Sequence, residues 1–153
     1  MQRSRRRRAV AALVLCWLGL CAALAGRDEP SIDELKERAS NANAADRPAL
    51  CIRVCERQLD NADKLYVAGD NERGQAALGD VVTYAEMARD AAIQSRKREK
   101  QSEISVRKMI RKLNDLKHTV AHEEQEEIQK TVDRLERVRD DLLGDMFPKG
   151  GKR

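Results

Sequence analysis

The chain of 153 residues is long enough for one domain, and 37% of its residues are charged while only 3% are aromatic. A composition so poor in large apolar side chains excludes a thick globular core and favours helices that pack along narrow apolar seams. The net charge of +4 comes from an arginine-rich start, because residues 26–153 alone carry a net charge of −1. The positive net charge of the whole chain therefore does not indicate nucleic-acid binding.

Residues 1–25 have the zones of a secretory signal peptide: arginines at positions 3 and 5–8, then an uncharged apolar stretch over residues 9–25. We predict cleavage after this stretch and export to the periplasm or out of the cell. The alternative is that residues 9–25 stay as an inner-membrane anchor with the remainder facing outward, since about 17–25 apolar residues can span a bilayer. The small side chains that a cleavage site needs are those of Ala23, Ala25 and Gly26.

Capping residues and apolar spacing predict the helices of a single domain. Ser31 and Glu34 form a capping box at the first helix, and Asp46 caps the second. Gly69 ends the second helix and Asp70 caps the third, and so short a link predicts an antiparallel hairpin. The helical domain covers residues 26–147 with a disordered tail at 148–153, and its helices are predicted at about 31–43, 47–68, 71–119 and 123–144.

The predicted third helix is the longest. Its apolar residues recur at alternating steps of three and four from Leu78 to Ala92 and resume in the same register from Val106 to Val120. Neither Pro nor Gly interrupts residues 80–143, so we predict one continuous helix, roughly 70 Å long. The alternative is a break at the polar seam positions Ser95, Glu99 and Ser102.

These helices predict an all-α fold. A continuous third helix gives an elongated, coiled-coil-like arrangement of antiparallel hairpins around one central helix, whereas a broken one gives a compact four-helix bundle. The fourth helix begins with a glutamate-rich turn and ends at Gly144, and Arg139 is the one polar residue on its apolar seam.

Residues 59–88 resemble a single hairpin of the tetratricopeptide-repeat family. Ala62 lies where the first helix of that repeat has a small residue, and Leu65 and Tyr66 lie where it has an aromatic residue. The helix-ending proline is missing, Gly74 replaces the usual alanine, and no second copy follows. The resemblance implies a helical-hairpin scaffold and protein binding, without the peptide groove that stacked repeats create.

Cysteine and histidine pairs occur at the same spacing. Cys51 and Cys55 lie one helical turn apart, and we predict two small buried seam residues, because a disulfide within one helix is strained. Pairing between two molecules is the alternative in an oxidising compartment. With His118 and His122 they would make a Cys₂His₂ metal site. A straight third helix places the two pairs roughly 50 Å apart, so we predict no metal site.

Residues 96–117 contain nine Lys or Arg against three acids. This excess is suited to anionic lipid headgroups, cell-wall polymers or an acidic protein. The alternative is a solvated face partly neutralised by the glutamates of the fourth helix. Aromatic residues for base stacking are lacking, so we predict no nucleic-acid partner. The basic residues are Arg96, Lys97, Arg98, Lys100, Arg107, Lys108, Arg111, Lys112 and Lys117.

No catalytic motif is present: the sequence has neither a phosphate-binding glycine loop nor a nucleophile elbow. We therefore predict a non-enzymatic, cofactor-free exported scaffold that binds other proteins, or forms a homo-oligomer, through seam residues left over after intramolecular packing. The alternatives are an envelope metal-binding protein that uses Cys51 and Cys55, and an envelope-surface binder that uses the basic residues of 96–117.

Overall fold

The computed structural model describes residues 29–148, so the predicted signal peptide and the tail residues 149–153 lie outside the described part of the chain. The described residues form helices and no strand, which confirms the all-α class. None of these helices is both long and apolar enough to span a membrane. The helices α1 to α5 are Ile32–Asn41, Arg47–Val67, Asn71–Ser95, Glu99–Lys117 and His122–Met146.

The first two helices begin differently from what the capping pattern predicts. Ser31 accepts a hydrogen bond from the Glu34 N–H at 3.1 Å, as expected. The Glu34 carboxylate, however, pairs with Arg38 one turn later, so an ion pair replaces the reciprocal half of the capping box. Asp46 makes no capping bond to α2. The side chain of Asn43 instead accepts from the Asp46 N–H at 3.0 Å and organises the turn before the helix.

The link between α2 and α3 agrees with its prediction. Gly69 has a φ of 76°, a left-handed conformation that costs glycine little. Asp70 accepts from the Arg73 N–H at 3.4 Å and caps α3. The two helices pack along their seams, with Leu59 and Leu78 both fully buried.

The prediction of one continuous helix over residues 71–119 is wrong. α3 ends at Ser95, and Arg96 and Arg98 take left-handed φ values of 50° and 63° before α4 begins. This conformation costs a residue with a Cβ roughly 1–2 kcal/mol. Tertiary packing offsets the cost, because folding back brings α4 against α2, and α5 against α3.

The contacts between helices show which of them pack against each other. α2 contacts α1, α3 and α4, and α5 contacts α3 and α4. α3 and α5 run in the same direction, because Asn71 bonds Glu124 near their starts and Arg89 pairs with Asp141 near their ends. All five helices contribute to one hydrophobic core. Its largest fully buried side chains include Leu35, Leu59, Leu78, Leu113, Leu135 and Leu142.

The last helix is slightly longer than predicted. α5 begins at His122 and continues past Gly144 to Met146, so Gly144 lies in the final turn and does not end the helix. Phe147 follows the helix and is 71% exposed.

Candidate functional site

The exposed side of α4 and the link before it carries most of the basic residues that the sequence singled out. Lys100, Arg107, Lys108 and Arg111 project outward because steps of seven, eight and eleven residues return to one helix face. Val106 on the opposite side is fully buried. We define the basic face as the exposed cations Arg96, Lys97, Arg98, Lys100, Arg107, Lys108 and Arg111.

One member of the basic face is paired within the chain: Arg107 lies 3.7 Å from the Glu103 carboxylate. The other two basic residues of the sequence analysis, Lys112 and Lys117, are half-buried. Lys112 forms an ion pair with Asp60, and Lys117 donates a hydrogen bond to the amide oxygen of Gln129 at 2.6 Å. Within the part of the chain that the structure describes, six members of the basic face make no ion pair. These are Arg96, Lys97, Arg98, Lys100, Lys108 and Arg111.

Three glutamates at the start of α5 contact residues outside the basic face. Glu124 accepts hydrogen bonds from Asn71 and from Gln75, both on α3, at 3.0 Å. Glu126 and Glu127 pair with Lys130 on their own helix. Glu124, Glu126 and Glu127 are therefore engaged with residues outside the basic face.

Cys51 and Cys55 lie on α2 with 0% exposure, so the prediction of buried seam residues is confirmed. Both thiols are free, and the Cys55 thiol donates to the Val81 carbonyl at 3.3 Å. Burial raises the pKa of Cys51 from 9.0 to about 11, although the charge of Arg47 opposes the shift. Burial, with the neighbouring Cys51, also raises the pKa of Cys55 well above 9.0. A disulfide to another molecule would require the α2–α3 hairpin to open.

The two histidines are not brought to the cysteines. His118 and His122 are exposed at the turn between α4 and α5. Lys112 of α4 contacts Asp60 of α2, and these two helices run in parallel. His118 follows Lys112 along α4, whereas Cys55 precedes Asp60 along α2. The histidine and the cysteine are therefore about 16 Å apart along the helix axes. Metal–ligand bonds are near 2 Å. Among the described residues, no group of three or more His, Cys, Asp or Glu is placed to hold a metal ion.

The sequence did not reveal the pairing of Glu103 with Arg139. Glu103 is 6% exposed, and its carboxylate lies 3.4 Å from Arg139 Nε. The two residues are each eighteen positions from Ala121, the last residue of the turn between α4 and α5. An antiparallel hairpin places such residues opposite each other, so this symmetry was the signal that could have revealed the pair.

An open groove of about 340 Å³ lies between α3 and α5. Its polar side chains are occupied: Glu86 pairs with Arg134, Glu127 pairs with Lys130, and the Thr83 hydroxyl donates to a backbone carbonyl of its own helix. A catalytic site needs a nucleophile or base that is free to meet a substrate. The groove therefore favours no reaction.

Comparisons of the chain with protein-family models, curated proteins and solved structures found no match. The resemblance of residues 59–88 to a tetratricopeptide-repeat hairpin stays a prediction.

Proposed function

We propose that the chain is an exported, non-enzymatic interaction module that binds an acidic partner protein through the basic face. The observation that carries this proposal is the group of six exposed cations without an intramolecular ion pair. Export is supported by the sequence of residues 1–25 alone, which lie outside the described part of the chain.

Unpaired cations on one side of a molecule favour association with a negatively charged surface. A single exposed ion pair contributes only about 0–1 kcal/mol, so no one residue would dominate the affinity. Several cations together steer an acidic partner toward the face and speed association, and salt weakens this effect. The expected complex is therefore rapid to form and sensitive to ionic strength.

The burial of the apolar side of α4 favours a protein over a lipid surface. Helices that lie on membranes combine a basic side with apolar side chains that enter the bilayer. The apolar side of α4 is already used, because Val106, Met109 and Leu113 are buried in the core. The basic face can therefore offer charge but little apolar surface.

The sequence analysis proposed binding through seam residues left over after intramolecular packing, but the predicted seams leave few residues uncovered. Leu78, Val81, Leu113 and Leu135 are at most 2% exposed and pack within the chain. A partner that used them would have to open the core. Because these seam residues are buried, we propose the basic face, and not the seams, as the contact surface.

The experiment measures binding of the full chain to poly-L-glutamate, with a matched charge control. The test variant combines Lys100→Gln, Lys108→Gln and Arg111→Gln. The control removes the same charge from α2, α3 and α5 with Lys64→Gln, Arg73→Gln and Lys130→Gln. We expect the test variant to bind about tenfold more weakly, as three lost ion pairs imply, and the control to change little.

Equal losses in both variants would show that net charge, not the basic face, drives binding, and would overturn the proposal. Vesicles of phosphatidylglycerol provide a second probe. Tight binding to these vesicles without binding to poly-L-glutamate would replace the acidic protein with a lipid surface.

A further inference from the structure

The link between α3 and α4 makes its turn with residues that carry long side chains. Arg96 and Arg98 are the only non-glycine residues with positive φ in the described part of the chain. The Lys97 N–H closes the end of α3 on the Ala92 carbonyl at 3.2 Å, a bond pattern in which the left-handed position usually belongs to glycine. The link is therefore strained, and a straight helical link would relieve the strain at both arginines.

A straight link would also keep the apolar stripe in phase. Ala92 and Val106 are fourteen residues apart, which is two heptads, and both are fully buried. The intervening Arg-Lys-Arg sequence has high helix propensity. α3 and α4 can therefore join into one helix without changing which side of either carries its apolar residues.

Each half of the molecule has contacts that hold it together without the other. In the N-terminal half, α1 to α3, Asp80 on α3 accepts hydrogen bonds from Lys36 on α1 and Gln58 on α2. In the C-terminal half, α4 and α5, Arg139 pairs with the buried Glu103. If the link straightened, the two halves would separate as units.

The contacts between the halves would then lack their partners. Arg89 lies 2.8 Å from the Asp141 carboxylate, and Arg134 pairs with Glu86. The core residues of α3 and α5 would also be uncovered. The surface complementary to each uncovered half is the other half of a second copy, because it carries the same side chains in the same positions.

We infer that two copies of this chain form a dimer by exchanging their C-terminal halves across the hinge at residues 96–98. The dimer keeps every contact between halves, now between two chains, and loses the strain at the hinge. Short strained hinges favour such exchange. This inference does not depend on the proposed function, whose test leaves the hinge residues unchanged.

The decisive experiment mixes two full-chain variants with reversed charges. The first combines Arg89→Glu with Arg134→Glu, and the second combines Glu86→Arg with Asp141→Arg. Within either variant alone, the two ion pairs between the halves become like-charge contacts. In an exchanged dimer of one chain of each variant, all four contacts are again between opposite charges.

We expect the mixture to form a heterodimer in sedimentation velocity, while each variant alone dimerises at least tenfold more weakly. Circular dichroism monitors the helix content of each variant. Recovery of helix content on mixing would support exchange even if a variant is unfolded alone. A mixture that contains only monomers, or that behaves as the sum of its parts, would overturn the inference.

A hinge comparison in the otherwise unchanged chain gives an independent readout. Arg96→Gly with Arg98→Gly relieves the strain of the closed link and weakens a joined helix. Arg96→Ala with Arg98→Ala removes the same charge but favours the joined helix. We expect the glycine variant to dimerise more weakly, with a dissociation constant about a hundredfold or more above that of the alanine variant. The difference is large because each dimer contains four substituted hinge positions, two in each chain. Equal dissociation constants would contradict a straightened hinge.

Discussion

Arg139 and Glu103 face each other across the α4–α5 hairpin, with 3.4 Å between Arg139 Nε and the Glu103 carboxylate. Glu103 is 6% exposed, and its carboxylate also lies 3.7 Å from Arg107 Nε. A carboxylate with so little access to water is stable only if cations or donors replace that water. The polar residue on the seam of α5 is therefore part of the packing between the two helices.

We expect Arg139→Met to lower the free energy of unfolding by about 1–2 kcal/mol, because it keeps the apolar stem but leaves the buried Glu103 with one distant cation. Arg137→Met is the matched control, since Arg137 is exposed on the same helix and should change stability by less than about 0.5 kcal/mol. Urea denaturation followed by circular dichroism measures both. Similar losses in the two variants would mean that the pair with Glu103 adds nothing to stability.

Two helical glycines of α3 should respond oppositely to alanine. A Cβ added at Gly79 would have no neighbour within 4 Å, so Gly79→Ala should raise the free energy of unfolding by about 0.5–1 kcal/mol through helix propensity. At Gly74 the new Cβ would lie 3.0 Å from the ring of Tyr66. We expect this crowding to exceed the gain, so that Gly74→Ala lowers the free energy of unfolding and is the less stable variant by about 1 kcal/mol or more. Equal gains in urea denaturation would show that the ring moves aside freely.

The buried thiols should make the reduced protein less stable in alkaline solution. The pKa of Cys51 is about 11 in the folded chain against 9.0 for an ordinary thiol, so the unfolded state loses its proton first as the pH rises. The contribution is fully present below pH 9.0 and is lost as the pH approaches about 11, a change on the order of 2 kcal/mol.

The control for this pH dependence is the chain with Cys51→Ala and Cys55→Ala. Its free energy of unfolding should vary less between pH 9.0 and about 11. A remaining decrease above pH 10.0 is expected from Tyr66, whose pKa burial and the charges of Glu124 and Glu127 raise to about 12. Parallel pH profiles for the two proteins would exclude the thiols as the cause.

The apolar spacing predicted which side of each helix is buried. Leu78, Ala92 and Val106 lie on the predicted seam and are all buried. Such predictions succeed because a helix face follows from the local period of 3.6 residues. The common exposure of Lys100, Arg107, Lys108 and Arg111 follows from the same period.

The pairings across helices were harder to predict. Glu103 and Asp80 each bind side chains of other helices, Asp80 those of Lys36 and Gln58. Which helices become neighbours depends on how the chain turns, and this information is not contained in the spacing of one helix. The contact of Glu124 with Asn71 on α3 was unpredictable for the same reason.

The amino-acid sequence by itself determined the helical class, the apolar faces and the turn at Gly69, because each depends on residues close together in the chain. Only the tertiary structure decided that residues 96–98 form a break. Arginine and lysine favour helix at those positions, and their local preference is overcome when α4 and α5 bury their apolar sides against α2 and α3. A difference between local preference and global packing is also what makes this link a candidate hinge.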